Sequence, residues 1–261
     1  MKPQQTALIT GASAGIGLDL AWVLAEHGYN LILVARSFDV LQRLAADIKS
    51  KHAVSATPIR VDLSDPTTPQ HLYDSLAAQG IVVDVLINNA GFGLLGRFDR
   101  IDESRMYDMI QVNVTSLTAL TRLFLPGMIE RGNGRVMNVA STAAFQGGPY
   151  MTVYYASKAY VLSLTEAIAD ELRHTAVTIT ALCPGPTRTK FAEVAQMTMT
   201  NLANTPLMMD SMTVARYGYK AMMRGQRVAI SGVINRFVAF STRLVPRRVA
   251  TRIAGQMQQN R

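Results

Sequence analysis

This 261-residue chain has one cysteine, Cys183, so no internal disulfide can hold it together. Its stability must rest on a buried core, and a reducing cytoplasm is the expected compartment. Charged residues make up only 17% of the chain and aromatics 7%, against 49% hydrophobic. That is enough apolar material for one large domain. No apolar run reaches the roughly 18–20 residues that span a bilayer. The opening M-K-P-Q-Q-T-A-L-I-T enters a strand-like run without the layout of a signal peptide. Acidic residues are missing from one region in particular: residues 211–261 hold ten Lys or Arg and no Asp or Glu. The net charge of +8 therefore belongs to the C-terminal fifth, because the preceding residues are slightly acidic overall. A general nucleic-acid binder would spread its basicity further, so no nucleic-acid partner is expected. His27, His52, His71 and His174 lack metal-ligand spacing, and no metal site is expected.

Short β-branched runs alternate with longer amphipathic ones. The strand-like runs are 7–10, 31–35, 56–61, 83–88, 134–140, 177–182 and 227–231; helical periodicity marks 15–28, 38–51, 67–79, 103–111, 113–131, 154–174 and 211–224. Strands this apolar, separated by helices, imply a parallel sheet covered on both faces. Right-handed crossovers make it an α/β doubly wound fold. With no internal repeat and no low-complexity linker, one domain over 1–231 is expected, extended by residues 232–261. Two segments fall outside the alternation, 186–210 and the tail from about 232.

The first strand runs into T-G-A-S-A-G-I-G, which places Gly11, Gly15 and Gly17 ahead of a helix, with Ser13 and Ile16 between them. Glycine there allows a tight turn and close backbone approach to a pyrophosphate, and the helix start offers free N–H groups. The spacing G-x-x-x-G-x-G is not the commoner G-x-G-x-x-G, and a plain strand-to-helix turn would also use it. The second strand ends at Ala35-Arg36-Ser37, where a ribose-binding acid would otherwise stand. A guanidinium suits a 2′-phosphate, which favours NADP(H) over NAD(H). Alternatively Ser37 caps the next helix and Arg36 is merely solvated. Asp62 follows the third strand, either beside the adenine or as a turn acid. Asn88-Asn89-Ala90-Gly91 follows the fourth, with side-chain amides able to tie strands together and small residues allowing close approach to a cofactor.

In T-V-Y-Y-A-S-K-A, residues 152–159, Tyr154 and Tyr155 lie four and three residues before Lys158. Both spacings share a helix face, so spacing does not choose between them. Hydride addition to a carbonyl needs a proton donor. An ammonium beside a phenol is expected to lower its pKa from about 10 towards neutrality. Ser141, 13 residues before Tyr154, can orient the carbonyl oxygen.

These motifs, with Asn113 in Q-V-N-V and P-G-P-T-R-T at 184–189, resemble the short-chain dehydrogenase/reductase family over about residues 5–231. The resemblance implies a seven-stranded Rossmann sheet and a catalytic tetrad of Asn113, Ser141, Tyr154 and Lys158. Tyr155 is left as a core or pocket residue. Lys158 would also hold the nicotinamide ribose, and Asn113 a proton-relaying water. Pro184 and Gly185 would lie beside the nicotinamide, with the Thr187 backbone and the Thr189 hydroxyl on its carboxamide. The resemblance further implies a homodimer or homotetramer through helices 113–131 and 154–174. Ala14 stands where some members carry a basic residue, so phosphate binding would lean harder on Arg36, to which Ser37 could add a hydrogen bond.

The expected function is that of an NADP(H)-dependent carbonyl reductase or alcohol dehydrogenase. The alternative is a catalytically weak cofactor-binding regulatory or scaffold protein of the same fold. A substrate lid is expected over about 186–212. It holds Met197, Met199, Met208, Met209 and Met212 with Phe191, Leu202 and Leu207, and only Lys190, Glu193 and Asp210 are charged. Methionine repacks around varied apolar shapes, so a bulky, mainly apolar substrate is expected; the same methionines could instead pack on the body. In the tail, apolar residues and arginines interleave at helical spacing and Pro246 splits the run. That predicts two short cationic amphipathic helices, lying on an anionic membrane surface or on the subunit's own apolar surface.

Overall fold

The computed structural model describes residues 4–189, 191, 195, 208–242 and 244–259. Seven strands form one parallel sheet in the order β3-β2-β1-β4-β5-β6-β9. They are β1 (Thr6–Thr10), β2 (Asn30–Ala35), β3 (Ala56–Arg60), β4 (Val85–Asn88), β5 (Gly134–Val139), β6 (Val177–Cys183) and β9 (Val228–Ile230). The order reverses direction between β1 and β4, which opens the crevice where open α/β sheets bind ligands. Alternation along each strand feeds both faces. Ala7 and Ile9 of β1 join one core cluster, under α1 (Gly15–Glu26), α2 (Phe38–Lys51) and α7 (Ser211–Met223). Leu8 points into the other, under α3 (Thr68–Ala78), α5 (Leu117–Glu130) and α6 (Thr152–Glu171). Asn88 and Asn138 sit side by side in register. Asn88 Nδ2 donates to Asn138 Oδ1 (2.9 Å) and to Thr121 Oγ1 (3.0 Å), and Asn138 Nδ2 donates to Thr165 Oγ1 (3.0 Å). This buried polar ladder pins α5 and α6 to the sheet.

The predicted break between helices at residue 112 does not occur. α4 (Glu103–Ile110), a π-helical turn (Gln111–Ser116) and α5 form one continuous 28-residue helix. By length and composition it could cross a membrane, although no contiguous apolar run in the sequence suggested it. Leu117, Leu120, Phe124 and Met128 are instead buried in the protein's own core. The segment after β6 begins and ends in a small parallel pair, β7 (Thr187–Arg188) with β8 (Met209–Asp210). Pro246 separates α8 (Val233–Ser241) from α9 (Arg247–Gln259), as the tail pattern predicts.

Candidate active site

A cleft of about 770 Å³ runs over the C-terminal ends of the strands. Its first wall is fastened by β1 and β4. The Thr10 hydroxyl accepts the N–H groups of Asn89 and Ala90 (3.0 Å each) and donates to the Ile87 carbonyl (3.3 Å). Asn89 Nδ2 donates to the carbonyls of Thr10 (3.0 Å) and Gly11 (3.1 Å). The approach is too close for a side chain: a Cβ on Gly11 would lie 2.8 Å from Asn89 Nδ2. Gly15, at φ 55°, would place one 2.7 Å from Thr189 Cγ2. Gly11, Ser13, Gly15 and Ile16 line the cleft. Gly17 does not; it is buried behind them, where a Cβ would come within 2.4 Å of the Gly11 carbonyl oxygen. A side chain at 17 would collide with the backbone of the loop ahead of it.

Arg36, Ser37 and Asp62 line the far end of the cleft and are exposed. Ser37 stands at the start of α2 but makes no side-chain cap, so its hydroxyl is not committed to the helix. Asp62 accepts both the N–H (3.0 Å) and the hydroxyl (2.8 Å) of Ser64, so it is a turn acid as well as a wall residue. Partial burial pushes its pKa up, but the two Ser64 bonds and the Arg36 charge outweigh that and hold it below the usual range.

The opposite end gathers ionisable groups out of water. Ser141 follows β5 with its hydroxyl near the Pro184 carbonyl (3.4 Å) and accepting the Ala143 N–H (3.1 Å). Tyr154 and Lys158 project from the first turns of α6 into the cleft. Lys158 is buried and donates to the Val139 carbonyl (2.8 Å), with its ammonium 5.8 Å from the Tyr154 ring centroid. Burial lowers the Lys158 pKa to about 8. Burial also raises Tyr154, to about 12, with the Ser141 hydroxyl pulling part of the way back. The direction is opposite to the expected depression of the tyrosine, because desolvation of the phenolate dominates and only the Ser141 hydroxyl lowers it. Asn113 is wholly buried behind the wall. Its Nδ2 donates to the Phe92 carbonyl (2.9 Å) and Ser157 Oγ (3.1 Å), and its Oδ1 accepts the Phe92 N–H (3.1 Å). Both side-chain atoms are thus engaged by the protein. A π-turn at this point is the local distortion that functional helices often carry.

Ala90, Gly91, Pro184, Gly185, Thr187 and Thr189 line the cleft between the two ends. A Cβ on Gly91 would meet Asn113 Oδ1 at 2.9 Å and Lys158 Nζ at 3.4 Å, so glycine lets the strand end pass over both. Thr187 Oγ1 donates to the Gly185 carbonyl (2.9 Å), and Thr189 Oγ1 accepts the Phe191 N–H (3.1 Å).

Residues 5–199 match the family model for short chain dehydrogenases. The chain belongs to that family. A ketoacyl reductase, HetN of a Nostoc species, is 37% identical over 183 residues, covering 69% of this chain but 63% of that protein. The chain thus spans less than two thirds of this relative's length. Among solved structures, a short-chain dehydrogenase from Sphingobium yanoikuyae in complex with NADPH superposes with TM-score 0.82 and 30% identity, covering 91% of this chain and 92% of the other. A bulky-bulky ketone specific alcohol dehydrogenase from Comamonas testosteroni gives TM-score 0.78 and 28% identity, covering 92% of both chains. The glycine cradle, which a single Cβ would fill, and the exposed Arg36 rim fit the nicotinamide dinucleotide that this dehydrogenase fold carries.

Several wall residues of the cleft escaped the sequence reading. Phe92, Arg105, Asp108, Met151 and Gln258 all line the cleft. The Arg105 guanidinium lies 5.7 Å from the Phe92 ring centroid. Tyr150 adopts φ 64°, a left-handed conformation that a tyrosine rarely takes, and its carbonyl accepts the Gly96 N–H (2.8 Å). Tyr155 also reaches the cleft, with its hydroxyl 3.4 Å from Gln258 Nε2. It is a pocket residue, as the resemblance implies. Within the expected lid, Phe191 packs on Tyr154 (ring centroids 5.1 Å apart) and Met208 lines the cleft. Met209 and Met212 pack on the protein's core and not on the cleft. Lys190, Glu193, Met197, Met199, Leu202 and Leu207 lie outside the described residues. Burial raises the Cys183 thiol to about 12, which makes it an inert apolar filler. Among the described residues no His, Cys, Asp or Glu cluster could hold a metal.

Proposed function

We propose that this protein is an NADP(H)-dependent oxidoreductase that moves a hydride between the nicotinamide and the carbonyl or alcohol carbon of a bulky, mainly apolar substrate. The observation that carries this reading is the convergence of Ser141, Tyr154 and Lys158 at one end of a cleft whose other end is the glycine cradle and Arg36. When bound, the cofactor supplies the hydride. The Ser141 hydroxyl then donates to the carbonyl oxygen and fixes the face presented. Tyr154, protonated throughout neutral pH because burial holds its pKa high, gives its proton to that oxygen as charge develops there. The Lys158 ammonium offsets the negative charge left on the Tyr154 phenolate, and Asn113 is a positioning residue for Tyr154: it locks the Phe92 loop and Ser157, whose hydroxyl in turn donates to the Tyr154 carbonyl (2.7 Å).

Arg36 and Ser37, exposed on the cleft wall and free of a cap or an ion pair among the described residues, support the 2′-phosphate assignment. The NADPH-bound relative supports it by likeness. Phe191, Met151, Met208 and Tyr155 give the substrate end an aromatic and methionine-rich wall, which supports an apolar substrate; the ketoacyl and bulky-ketone relatives act on carbonyls of that kind by their names. The scaffold alternative gains no specific observation. A homodimer or homotetramer is proposed through α5 and α6, which leave Ile129 and Tyr160 41% exposed.

The test is oxidation of NADPH, with NADH in parallel, against uncharged ketones and small keto acids. Turnover of bulky ketones with NADPH supports the reading. Cofactor binding without turnover on any carbonyl favours the scaffold instead, and a preference for keto acids refutes the apolar assignment.

A further inference from the structure

The two tail helices are built inside out. A helix lying on a soluble domain turns its large apolar residues inward. In α8 the inward residues are Asn235 and Ala239, both buried. Its outward line is Val233, Phe237 and Phe240, exposed by 83%, 73% and 55%. The spacing i, i+4, i+7 puts these three on one stripe. α9 repeats the pattern. Ala250, Ala254 and Gly255 face inward, while Val249 and Ile253 remain about half exposed. Among the described residues, nine of the fourteen large exposed apolar side chains fall between 233 and 253, a concentration in sequence that ordinary scatter of surface hydrophobics does not give. The only charged side chains of these two helices are cations. Arg236, Arg247, Arg248 and Arg252 are exposed, and among the described residues none makes an ion pair. No carboxylate occurs anywhere from 211 to 261.

The inward faces explain why the large residues point away. Asn235 packs so closely on Gly185 that a Cβ there would lie 2.3 Å from Asn235 Nδ2. Thr251 and Gly255 pack on Gly147 and Pro149, where added Cβ atoms would meet partners at 3.0 and 3.1 Å. Both helices thus lie against the body through small residues, and among the described residues their apolar side chains have no cover.

We propose that the outward face of α8 and α9 docks on an anionic lipid surface. Charge complementarity selects this occupant. A second copy, meeting the same face about a two-fold axis, would set arginine against arginine with no acid between them. A nucleic acid would be served by the arginines and not by Phe237 and Phe240. An anionic bilayer uses both: the apolar stripe enters the acyl boundary and the arginines meet lipid phosphates. Gln258 of the same helix lines the cleft, so docking brings the lipid surface beside the substrate end.

The experiment is vesicle co-sedimentation of the full chain at low and high salt. Vesicles of phosphatidylcholine alone are compared with vesicles containing phosphatidylglycerol. Binding is expected only to the anionic vesicles, weakening with salt. Arg247→Gln with Arg248→Gln should weaken it by about fivefold per charge. Phe237→Ser and Phe240→Ser should each weaken it by roughly tenfold, with thermal unfolding unchanged because both sites are exposed. Equal binding to both vesicle types, or none to either, overturns the proposal. So does loss of oligomeric state in Phe237→Ser, which would make the face an interface between copies. None of these readouts needs turnover, so they stand or fall apart from the proposed reaction.

Discussion

At one end of the cleft the wall is backbone and small side chains. Gly11 and Gly15 offer peptide groups there, and the charges, Arg36 and Asp62, sit at an exposed rim. At the other end Lys158 is buried and Tyr154 half-buried, and desolvation displaces the pKa values of both. The contrast separates two tasks. Holding a dinucleotide needs shape and an exposed counter-charge, at little cost to the fold. Moving a proton needs groups whose charged forms are disfavoured before the reaction begins, and such groups weaken the fold that carries them.

The largest effect is expected at the proton donor. Tyr154→Phe should lower kcat by about 10²–10⁴-fold and leave NADPH affinity, read by fluorescence titration, unchanged. Tyr155→Phe should change kcat only slightly; the reverse pattern would give Tyr155 the acid's role. Next comes the burial of Lys158, whose folded pKa of about 8 lies below its unfolded value. The folded state then releases its proton earlier than the unfolded chain does. The penalty is full below about pH 8 and disappears as pH rises towards the unfolded lysine value, on the order of 3 kcal/mol. Denaturant midpoints of the wild type relative to Lys158→Met should converge over that window, with the methionine variant more stable at neutral pH and inactive. A constant difference from pH 7 to 10 would remove the burial argument.

At the rim the change is smaller and selective. Arg36→Ala should weaken NADPH by about 10- to 150-fold, the worth of a charge-assisted contact at about 1.5–3 kcal/mol, and leave NADH nearly untouched. Equal loss for both cofactors would reduce Arg36 to a solvated cation. The smallest steps are expected along a ketone series of rising chain length. Each added methylene should raise kcat/KM by up to about fourfold, or ~0.8 kcal/mol, until the Phe191–Met151 wall is filled. A flat series would separate the apolar lining from substrate choice.

The glycine end was the more legible in sequence. Gly11, Gly15, Asn89 and a strand-to-helix order give a conformation that few other residues permit, so the pattern marks the cleft there, while Gly17 lies behind it. The sheet was legible for the same reason, since buried parallel strands read as apolar runs. Only their ends moved: β4 begins at Val85 and not at 83, with the Asp84 side chain accepting the Thr6 N–H (2.9 Å). The tyrosine end was legible in identity but not in electrostatics. Spacing placed Lys158 near Tyr154, yet the sign of the tyrosine's shift depends on burial, which no local pattern reports. The helical runs read as 103–111 and 113–131 are one helix in the structure, although Val112, Val114 and Thr115 are β-branched and disfavour helix; packing overrides that preference. Gln258 and Arg105 reached the cleft through tertiary arrangement alone.

The π-turn at 111–116 is, in effect, one residue more than a regular helix would need between its two ends. Each residue turns an α-helix by about 100° and lengthens it by about 1.5 Å. The surplus sets the registers of α4 and α5 out of phase, so that Met109 and Leu117 can both face inward while Asn113 still points at Phe92. A single-residue deletion here could close into an ordinary helix with every backbone bond made. It would then have to rotate one half against its packing or swing the amide away from the loop. The stretch is therefore one where an insertion or deletion, more than any substitution, decides whether a well-folded chain still has a site.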